Sequence, residues 1–272
     1  MALPAPAHDC TALVTGASSG IGVEIARELA RRGHGVTLLA RRADRLQDLA
    51  AELGRLGVRA ETLECDLADP AARAAVPGRL DELGLTVDVL VNNAGISTLG
   101  PVAQADAESE LRMVEVDVAA VVDLCTRFVP GMVARGRGAV LNVASTASFQ
   151  PLPGQAGYGA CKAFVRSYTQ ALDTELRGTG VTASTLCPGP VETEFGDVAG
   201  FDLEETKAAM PSVMWETPAA VARVGVDAMA NGTQVAIPGA VNRIAAMASQ
   251  AAPKRLLLPL LARQHPGLKG DG

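Results

Sequence analysis

Short apolar segments recur along the chain and are separated by longer segments of mixed polarity. Each apolar segment is a nearly continuous run, such as TALVT or VDVLVNN, rather than an alternation of apolar and polar positions. Continuous runs are typical of strands that are buried on both faces. We therefore predict strands at 11–15, 35–40, 58–66, 87–93, 139–145, 181–187 and 234–239.

The intervals between these strands carry helical periodicity. The pattern predicts helices at 23–33, 42–57, 106–133 and 157–178, and an Ala/Arg/Leu-rich stretch fills 69–84. Strands that alternate with helices at this spacing indicate βαβ units and a parallel α/β sheet covered by helices on both faces. Right-handed crossovers then produce a doubly wound sheet, in which ligands bind beyond the carboxyl ends of the strands.

The chain of 272 residues contains no Ser/Pro/Gly-rich linker and no abrupt change in composition. We predict a single domain over 1–272, with a core at about 10–240 and a helical extension at 241–264 that Pro253 and Pro259 break into short pieces. With 48% hydrophobic residues but only 3% aromatic residues, the core must be largely aliphatic.

Charge and cysteine content argue against several classes of function. The formal net charge is −6 and the basic residues are scattered, so we expect no nucleic-acid partner. The first ten residues lack the features of a secretory signal, and no apolar run is long enough for an integral membrane segment. Five cysteines without CxxC pairing indicate reduced thiols in a cytoplasmic protein, and with only three histidines we expect no metal site.

Tyr158 and Lys162 are four residues apart in YGACK, and Ser145 lies upstream in LNVAS. On a helix, Tyr158 and Lys162 lie one above the other, and the ammonium favours the tyrosinate. At about 4 Å and an effective dielectric of ~20 the attraction is roughly 4 kcal/mol, enough to move the phenol pKa from about 10 toward neutrality. Such a phenol donates a proton to a carbonyl oxygen or accepts one from a hydroxyl. Taken alone, the pair is better explained as a partly buried phenol beside a snorkelling amine.

The segment TGASSGIG at 15–22 follows the first predicted strand and opens the first helix. Gly16 suits the tight turn, and Gly20 and Gly22 remove side chains where a pyrophosphate and the sheet must approach. The N–H groups of the helix N-terminus and its positive dipole end favour phosphate. The loop therefore predicts dinucleotide binding.

The end of the second strand distinguishes the two nicotinamide cofactors. An acidic residue at this position would bind the ribose 2′-hydroxyl of NAD. The chain has Arg41 and Arg42 instead, and guanidinium groups suit a 2′-phosphate. We predict NADP(H) rather than NAD(H), with the alternative that an arginine merely begins the solvated helix at 42–57.

Together these residues resemble the short-chain dehydrogenase/reductase family over about 10–240. The glycine loop matches the family's TGxxxGxG motif, and the pair in YGACK matches its YxxxK motif, with Ser145 thirteen residues before Tyr158. CDL at 65–67, NNAG at 92–95 and CPGPVET at 187–193 are similar to the family's segments at the adenine, after the fourth strand and over the nicotinamide.

The resemblance implies a Rossmann-like fold and specific roles for the site residues. Tyr158 would be the general acid or base, Ser145 would bind the substrate oxygen, and Lys162 would lower the Tyr158 pKa and bind the nicotinamide ribose. The motifs place the cofactor contacts at Gly16, Ser18, Ser19, Gly20, Ile21, Gly22, Arg41, Arg42, Asp66, Leu67, Asn92, Asn93, Ala94, Gly95, Tyr158, Lys162, Pro188, Gly189, Val191 and Thr193.

The chain departs from the family pattern at Asp117, where the family usually has a catalytic asparagine. A carboxylate there could pair with Lys162 and weaken its effect on Tyr158, because opposite charges stabilise each other. We predict a modest shift in the pH optimum. The alternative is a near-isosteric replacement with little effect.

The region after the nicotinamide segment concerns the substrate. The resemblance implies that 194–216 forms a lid over the substrate. The lid contains the apolar residues Phe195, Phe201, Met210, Met214 and Trp215. These residues suggest an apolar substrate pocket, although they are equally compatible with core filling. Cys161 would point away from the Tyr158 face of its helix and serve as a small buried residue. The family also implies a homodimer or homotetramer.

These observations predict an NADP(H)-dependent oxidoreductase that interconverts a ketone or aldehyde with its alcohol. Two alternatives remain open, an NAD-dependent alcohol dehydrogenase of the same fold and a non-catalytic regulator that senses dinucleotides. The sequence does not identify which small-molecule carbonyl or alcohol is the substrate, because one fold serves many functions.

Overall fold

A seven-stranded parallel sheet forms the centre of the structure, a computed structural model that describes residues 3–198, 200, 207, 210–264 and 266–268. Its strand order is β3–β2–β1–β4–β5–β6–β7, so the winding direction reverses between β1 and β4. This arrangement confirms the predicted doubly wound, Rossmann-like α/β fold. The strands are β1 Cys10–Thr15, β2 Val36–Ala40, β3 Ala60–Glu64, β4 Thr86–Asn92, β5 Gly138–Val143, β6 Val181–Leu186 and β7 Val235–Ala236.

Helices connect the strands and cover both faces of the sheet. A π-helical turn at Glu115–Ala119 separates two of them, where the sequence predicts one uninterrupted helix at 106–133. The helices are α1 Gly20–Arg31, α2 Ala43–Gly54, α3 Pro70–Glu82, α4 Ala107–Val114, α5 Ala120–Arg135, α6 Ala156–Glu175, α7 Glu194–Val198, α8 Pro218–Asn231, α9 Ala240–Ala251 and α10 Lys254–Gln264.

The strands supply two separate hydrophobic layers. In β1, Val14 points to the layer that contains Ile25 of α1, whereas its neighbour Leu13 points to the layer that contains Leu124 of α5 and Val165 of α6. Successive side chains of a strand point to opposite faces, so a strand buried on both sides carries apolar residues that point to each face. This requirement explains the continuous apolar runs in the sequence.

Helix α8 is the main element that the hydrophobic pattern did not predict. Its sequence, PAAVARVGVDAMAN, is dominated by small residues and has weak periodicity. The helix nevertheless begins with clear signals, because the Thr217 side chain accepts a hydrogen bond from the Ala220 N–H and Pro218 is the first helical residue. It packs against α1 and provides the crossover that β6 and β7 need to be parallel.

The C-terminal extension is helical, but Pro259 does not break it as predicted. Pro253 separates α9 from α10, whereas Pro259 lies inside α10. A proline removes one helical hydrogen bond, normally to the carbonyl four residues earlier. Pro259 and Arg255 are both exposed, so water can satisfy that carbonyl. Among the residues that the structure describes, no helix is sufficiently long and apolar to cross a membrane.

The turn between α6 and β6 offers a test of the backbone packing. Gly178 and Gly180 both have a φ of 82°, which is unfavourable for any residue with a Cβ. A Cβ on Gly180 would collide with the carbonyl oxygen of Gly136, which ends α5, whereas a Cβ on Gly178 would meet no described atom within 4 Å.

We expect Gly178→Ala to lower the free energy of unfolding by about 1 kcal/mol, because of its backbone conformation alone. Gly180→Ala should lower it by a further ~2 kcal/mol, because the α5 terminus must move as well. Urea unfolding followed by circular dichroism measures both values. Equal losses in the two variants would contradict the close approach of Gly180 to Gly136.

Candidate active site

The residues predicted to transfer protons converge at the carboxyl ends of β4 and β5. Ser145 follows β5 and begins the 3₁₀ turn Thr146–Phe149, where its Oγ accepts a hydrogen bond of 3.1 Å from the Ala147 N–H. Tyr158 and Lys162 lie on the same face of α6, and Lys162 Nζ is 5.6 Å from the centre of the Tyr158 ring. The tertiary structure thus brings the three predicted residues to one edge of the sheet.

Lys162 is held by a buried ion pair with Asp117. Lys162 Nζ lies 2.8 Å from Asp117 Oδ2 and donates a hydrogen bond of 3.3 Å to the Val143 carbonyl. Asp117 has no solvent-accessible surface, and its Oδ1 accepts a hydrogen bond of 2.8 Å from the Ile96 N–H. The pairing that the sequence suggested for Asp117 is therefore present. The π-helical turn carries Asp117, and such turns are frequent at functional sites.

The electrostatics of Tyr158 differ from the sequence-based expectation. Burial raises the pKa of the Tyr158 phenol and the Asp117 carboxylate adds to the rise, while the Lys162 ammonium and the Ser145 hydroxyl oppose it without reversing it. The predicted lowering toward neutral pH is therefore wrong for this structure. The physical reason is the desolvation of the phenol, together with the negative charge of Asp117, which offsets the positive charge of Lys162.

The pKa values of the ion pair are shifted by the same two effects. Burial acts to lower the pKa of Lys162, but the negative charges of Asp117 and of ionised Tyr158 outweigh it and raise that pKa overall. Burial raises the pKa of Asp117, against the pull of Lys162. Lys162 therefore stays protonated throughout the neutral range.

The glycine loop forms a close-fitting cradle between β1 and α1. Gly16 and Gly20 have φ values of 65° and 56°. A Cβ on Gly22 would collide with the Gly16 carbonyl oxygen and with Asn93 Nδ2. Ser19 is the N-cap of α1, but its side chain makes no capping hydrogen bond. The N–H groups of the first turn are thus not used by that side chain, which fits a site for phosphate.

The loop after β4 is tied to the glycine loop. Thr15 Oγ1 accepts hydrogen bonds from the N–H groups of Asn93 and Ala94, at 2.9 and 3.0 Å. Asn93 Nδ2 donates to the Thr15 carbonyl at 2.9 Å. Gly95 follows, and a Cβ there would lie 3.0 Å from Lys162 Nζ. These contacts join the loop to the cradle and place it directly beside Lys162.

The segment at 187–195 crosses above the cradle. The Thr146 N–H donates to the Pro188 carbonyl at 2.8 Å, and a Cβ on Gly189 would approach the Asn242 side chain to 2.6 Å. A Cβ on Gly20 would lie 3.0 Å from Thr193 Cγ2, so Thr193 is directly over the glycine loop. Phe195, two residues further, has its ring centre 5.7 Å from that of Tyr158.

Arginines gather at the other end of the cradle. Arg42 donates from Nε and Nη2 to Ser18 Oγ at 3.1 and 3.0 Å. Its Nη1 lies 2.8 Å from Glu194 Oε2, and Arg45 Nη1 lies 2.7 Å from Glu194 Oε1. The predicted residue Arg41 is exposed at the same strand end. Arg45 and Glu194 were missed by the sequence analysis.

A family model described as short chain dehydrogenase matches residues 10–201 of this sequence. The chain belongs to the short-chain dehydrogenase/reductase family. The family resemblance drawn from the motifs is thereby confirmed.

Similar proteins are found among both characterised sequences and solved structures. The protein named "Granaticin polyketide synthase putative ketoacyl reductase 1" from Streptomyces violaceoruber is 42% identical over 200 residues, which cover 72% of this chain and 73% of that protein. The NADP-dependent 3-hydroxy acid dehydrogenase YdfG from Salmonella typhi is 38% identical over 214 residues, covering 75% and 85%. A short-chain dehydrogenase from Sphingobium yanoikuyae in complex with NADPH has a TM-score of 0.77 at 35% identity and covers 96% of both chains.

The side chains of two motif residues, Asn92 and Leu67, are buried inside the protein and do not face the cofactor groove. Asn92 is buried and donates from Nδ2 to Asn142 Oδ1 at 2.8 Å and to Cys125 Sγ at 3.4 Å. We therefore revise its expected cofactor contact, because its side chain joins β4 to β5 inside the sheet. Leu67 is buried in the hydrophobic layer under α3 and α5, so only its backbone remains available to a ligand.

Asp66 is half-buried, between the buried residues Cys65 and Leu67 of the CDL segment. Its Oδ1 accepts a hydrogen bond from the Ala68 N–H at 3.0 Å, and its Oδ2 lies 2.7 Å from Arg112 Nη2 of α4. Partial burial acts to raise the pKa of Asp66, but the bonds from Arg112 and Ala68 and the charge of Arg41 lower it. The carboxylate thus stays ionised at the rim of the groove.

The predicted apolar lid is described only in part, because Phe201 lies outside the described residues. Within the described part, Phe195 contacts Tyr158, and Trp215 has a buried Nε1 with no hydrogen-bond acceptor. Cys161 is buried and its pKa is raised to about 11 by burial, which agrees with a packing role.

The effect of Asp117 on Tyr158 leads to a spectroscopic prediction. The chain has two tyrosines, and the pKa of Tyr168 is raised to about 12 by burial. In Asp117→Asn, the Tyr158 phenolate should form at lower pH than in the wild type, because the charge that raises its pKa is removed. Absorbance at the phenolate band, titrated with alkali, measures the first ionisation step.

Glu115→Gln is the matched control, since it removes the same charge from the same π-helical turn but at a site paired with Arg73. Tyr158→Phe identifies which step belongs to Tyr158, and circular dichroism at each pH verifies folding. The pH–rate profile of turnover should move in the same direction as the titration. Identical titrations and profiles for wild type and Asp117→Asn would contradict this account.

Proposed function

We propose that this chain is an NADP(H)-dependent oxidoreductase that interconverts a ketone or aldehyde with its alcohol, with Tyr158 as the general acid or base. The observation that carries the proposal is the convergence of Tyr158, Ser145 and buried Lys162 at the sheet edge that also bears the glycine cradle. The predicted cofactor and enzyme class are confirmed by an NADP-dependent relative and an NADPH-bound structural neighbour.

The environment of Tyr158 favours proton donation. Because its pKa is raised, the phenol stays protonated at neutral pH and can donate to a carbonyl oxygen as negative charge develops there. Ser145 would hydrogen-bond the same oxygen. Lys162 would stabilise the tyrosinate that forms, because its ammonium is held near the ring by Asp117 and Val143. When bound, the cofactor supplies or accepts the hydride.

The same environment disfavours the reverse reaction at neutral pH. Alcohol oxidation needs Tyr158 as a base, and a raised pKa leaves little tyrosinate available. We therefore propose carbonyl reduction as the favoured direction near neutrality.

The cofactor contacts are proposed from the cradle and the strand ends. The first-turn N–H groups of α1 would bind the pyrophosphate. Arg42, held by Ser18, and exposed Arg41 would bind the 2′-phosphate of NADPH through charge-assisted hydrogen bonds. Lys162 would bind the nicotinamide ribose, and Thr193 would lie at the carboxamide.

The substrate class is proposed from the relatives and from the lid. One relative is named as a ketoacyl reductase and another as a 3-hydroxy acid dehydrogenase. Phe195, whose ring centre lies 5.7 Å from that of Tyr158, makes the approach to Tyr158 partly apolar. Ketones with a 3-oxo acid or 3-oxoacyl pattern, graded by size and polarity, are therefore the first compounds to test by NADPH oxidation.

We further propose a cytoplasmic homodimer or homotetramer. The five cysteines are all free and buried, as expected of a protein that works under reducing conditions. Leu111 of α4 and Phe164 of α6 are large exposed hydrophobic residues on helices that the family uses for pairing.

Tyr158→Phe tests the proposed chemistry. The substitution should lower kcat/KM for carbonyl reduction by at least about 100-fold, because the proton donor is removed. The Kd for NADPH should stay within about twofold, since a tenfold change would require ~1.4 kcal/mol of lost binding. Steady-state kinetics and calorimetric titration measure the two quantities.

Tyr168→Phe is the matched control, because Tyr168 lies on the same helix and stacks on Phe164 at 5.9 Å, away from Ser145. It should keep near wild-type turnover. Full activity in Tyr158→Phe would overturn the assignment of the acid. NADPH binding without turnover by wild type on a broad carbonyl panel would favour the regulator instead.

A further inference from the structure

Glu194 connects two arginines across the mouth of the cofactor groove. Its carboxylate oxygens lie 2.8 Å from Arg42 Nη1 and 2.7 Å from Arg45 Nη1, and Arg45 also donates to the second oxygen at 2.8 Å. Arg42 in turn donates two hydrogen bonds to Ser18 of the glycine loop. One carboxylate therefore links the start of α7 to the start of α2 and, through Arg42, to the phosphate-binding loop.

The position of the arginines is unfavourable for the helix that carries them. Arg42 is the N-cap of α2 and Arg45 lies in its first turn. The positive end of the helix dipole is at this terminus, so two cations there repel it. An anion between the two guanidinium groups relieves the repulsion. Asp44 already places one carboxylate in this first turn, and Glu194 is the carboxylate that bridges the two guanidinium groups.

We propose that Arg45 is a second binding residue for the 2′-phosphate of NADPH and that Glu194 is an internal competitor, whose carboxylate yields the two arginines to that phosphate. The proposal rests on the proposed role of Arg42 in binding the same phosphate. It adds two residues that determine selectivity for the phosphorylated cofactor: Arg45, which strengthens the binding of the 2′-phosphate, and Glu194, which weakens it.

The exposure and the charges of these groups permit the exchange in both directions. All three side chains are substantially exposed, with accessible fractions of 39% for Arg42, 43% for Arg45 and 45% for Glu194, and exposed ion pairs contribute little to stability. A phosphate monoester carries about −1.5 to −2 charges at neutral pH and has three acceptor oxygens, against one charge and two oxygens for the carboxylate. Two guanidinium groups therefore favour the phosphate when both anions are available.

Ser18 fixes the orientation of the Arg42 guanidinium, whether Glu194 or a phosphate is its partner. Its hydroxyl accepts from Nε and Nη2, which leaves Nη1 as the group that contacts Glu194. The guanidinium plane is thus held before the phosphate arrives, so less side-chain entropy is lost on binding.

The exchange also connects the phosphate end of the groove with the reaction end. Thr193 lies over Gly20, and the ring of Phe195 is 5.7 Å from that of Tyr158. Glu194 is the residue between them, so its ion pairs with Arg42 and Arg45 are one of the contacts that hold this segment over the groove.

The experiment is a calorimetric comparison of cofactor affinities in the full-length protein. Kd values for NADPH, NADH and the fragment 2′,5′-ADP are measured for wild type, Arg45→Gln, Glu194→Gln and the double variant. Arg45→Gln should raise the Kd values for NADPH and 2′,5′-ADP by about tenfold, equivalent to ~1.4 kcal/mol of binding free energy. The Kd for NADH should change by less than about twofold. Glu194→Gln should lower the Kd values for NADPH and 2′,5′-ADP by roughly threefold to tenfold and leave the Kd for NADH nearly unchanged.

Each variant has a control with the same change of charge. Arg55→Gln removes a cation just after the other end of α2, roughly 15 Å away and beyond the screening length of physiological salt. Glu192→Gln removes an anion two residues from Glu194 that pairs with Lys207 instead. Both controls should bind NADPH like wild type. Thermal unfolding of each variant verifies that it is folded.

The outcomes separate this inference from the proposed function. If wild type prefers NADPH but Arg45→Gln and Glu194→Gln behave like their controls, the roles of Arg45 and Glu194 are overturned and that of Arg42 stands. If wild type binds NADH as tightly as NADPH, the 2′-phosphate site itself is overturned, and the inference with it. If Glu194→Gln lowers the Kd for NADH as much as the Kd for NADPH, Glu194 does not compete with the 2′-phosphate and the inference is also overturned.

Discussion

Burial of the parallel sheet on both faces is the constraint on which the other features of this molecule depend. It favours apolar residues at most strand positions, and several of the polar residues that do lie within the strands, such as Asn142, form hydrogen bonds inside the protein. Polar groups that are available to a ligand then collect where the strands end. Because all strands run in the same direction, their carboxyl ends share one edge, and the glycine loop, Asn93, Ser145 and the 187–195 segment all follow a strand at that edge. The site is thus a consequence of the topology.

The buried pair of Asp117 and Lys162 is the dominant electrostatic feature at that edge. A lone charge at either position would carry a large desolvation cost, so each residue depends on the other and on the Ile96 and Val143 backbone groups. The pair fixes the ammonium beside Tyr158, but it also reduces the net positive charge that the phenol experiences. An asparagine at position 117 would hold a similar shape without that negative charge. The aspartate therefore distinguishes this member by electrostatics rather than by geometry.

The cofactor groove is bounded by elements that are far apart in the sequence. Ser18 and Arg42 come from the first two βα turns, whereas Thr193 and Glu194 come from the segment after β6. Ion pairs and close glycine contacts join the two sides. Exposed ion pairs of this kind contribute little to stability, which is compatible with the proposed exchange of Glu194 for a phosphate.

The sequence by itself determined the fold class, most element positions and the identity of the proposed reacting trio, because strand burial, helix periodicity and the motif spacings are local patterns. It did not reveal helix α8, whose small residues carry little periodicity, or the persistence of α10 through Pro259, which depends on solvent exposure. Only the tertiary structure decided that Asn92 bonds to Asn142 within the sheet, that burial and Asp117 raise the pKa of Tyr158, and that Glu194 meets Arg42 and Arg45. Those outcomes depend on desolvation and on contacts between distant residues, and neither is encoded in a local pattern.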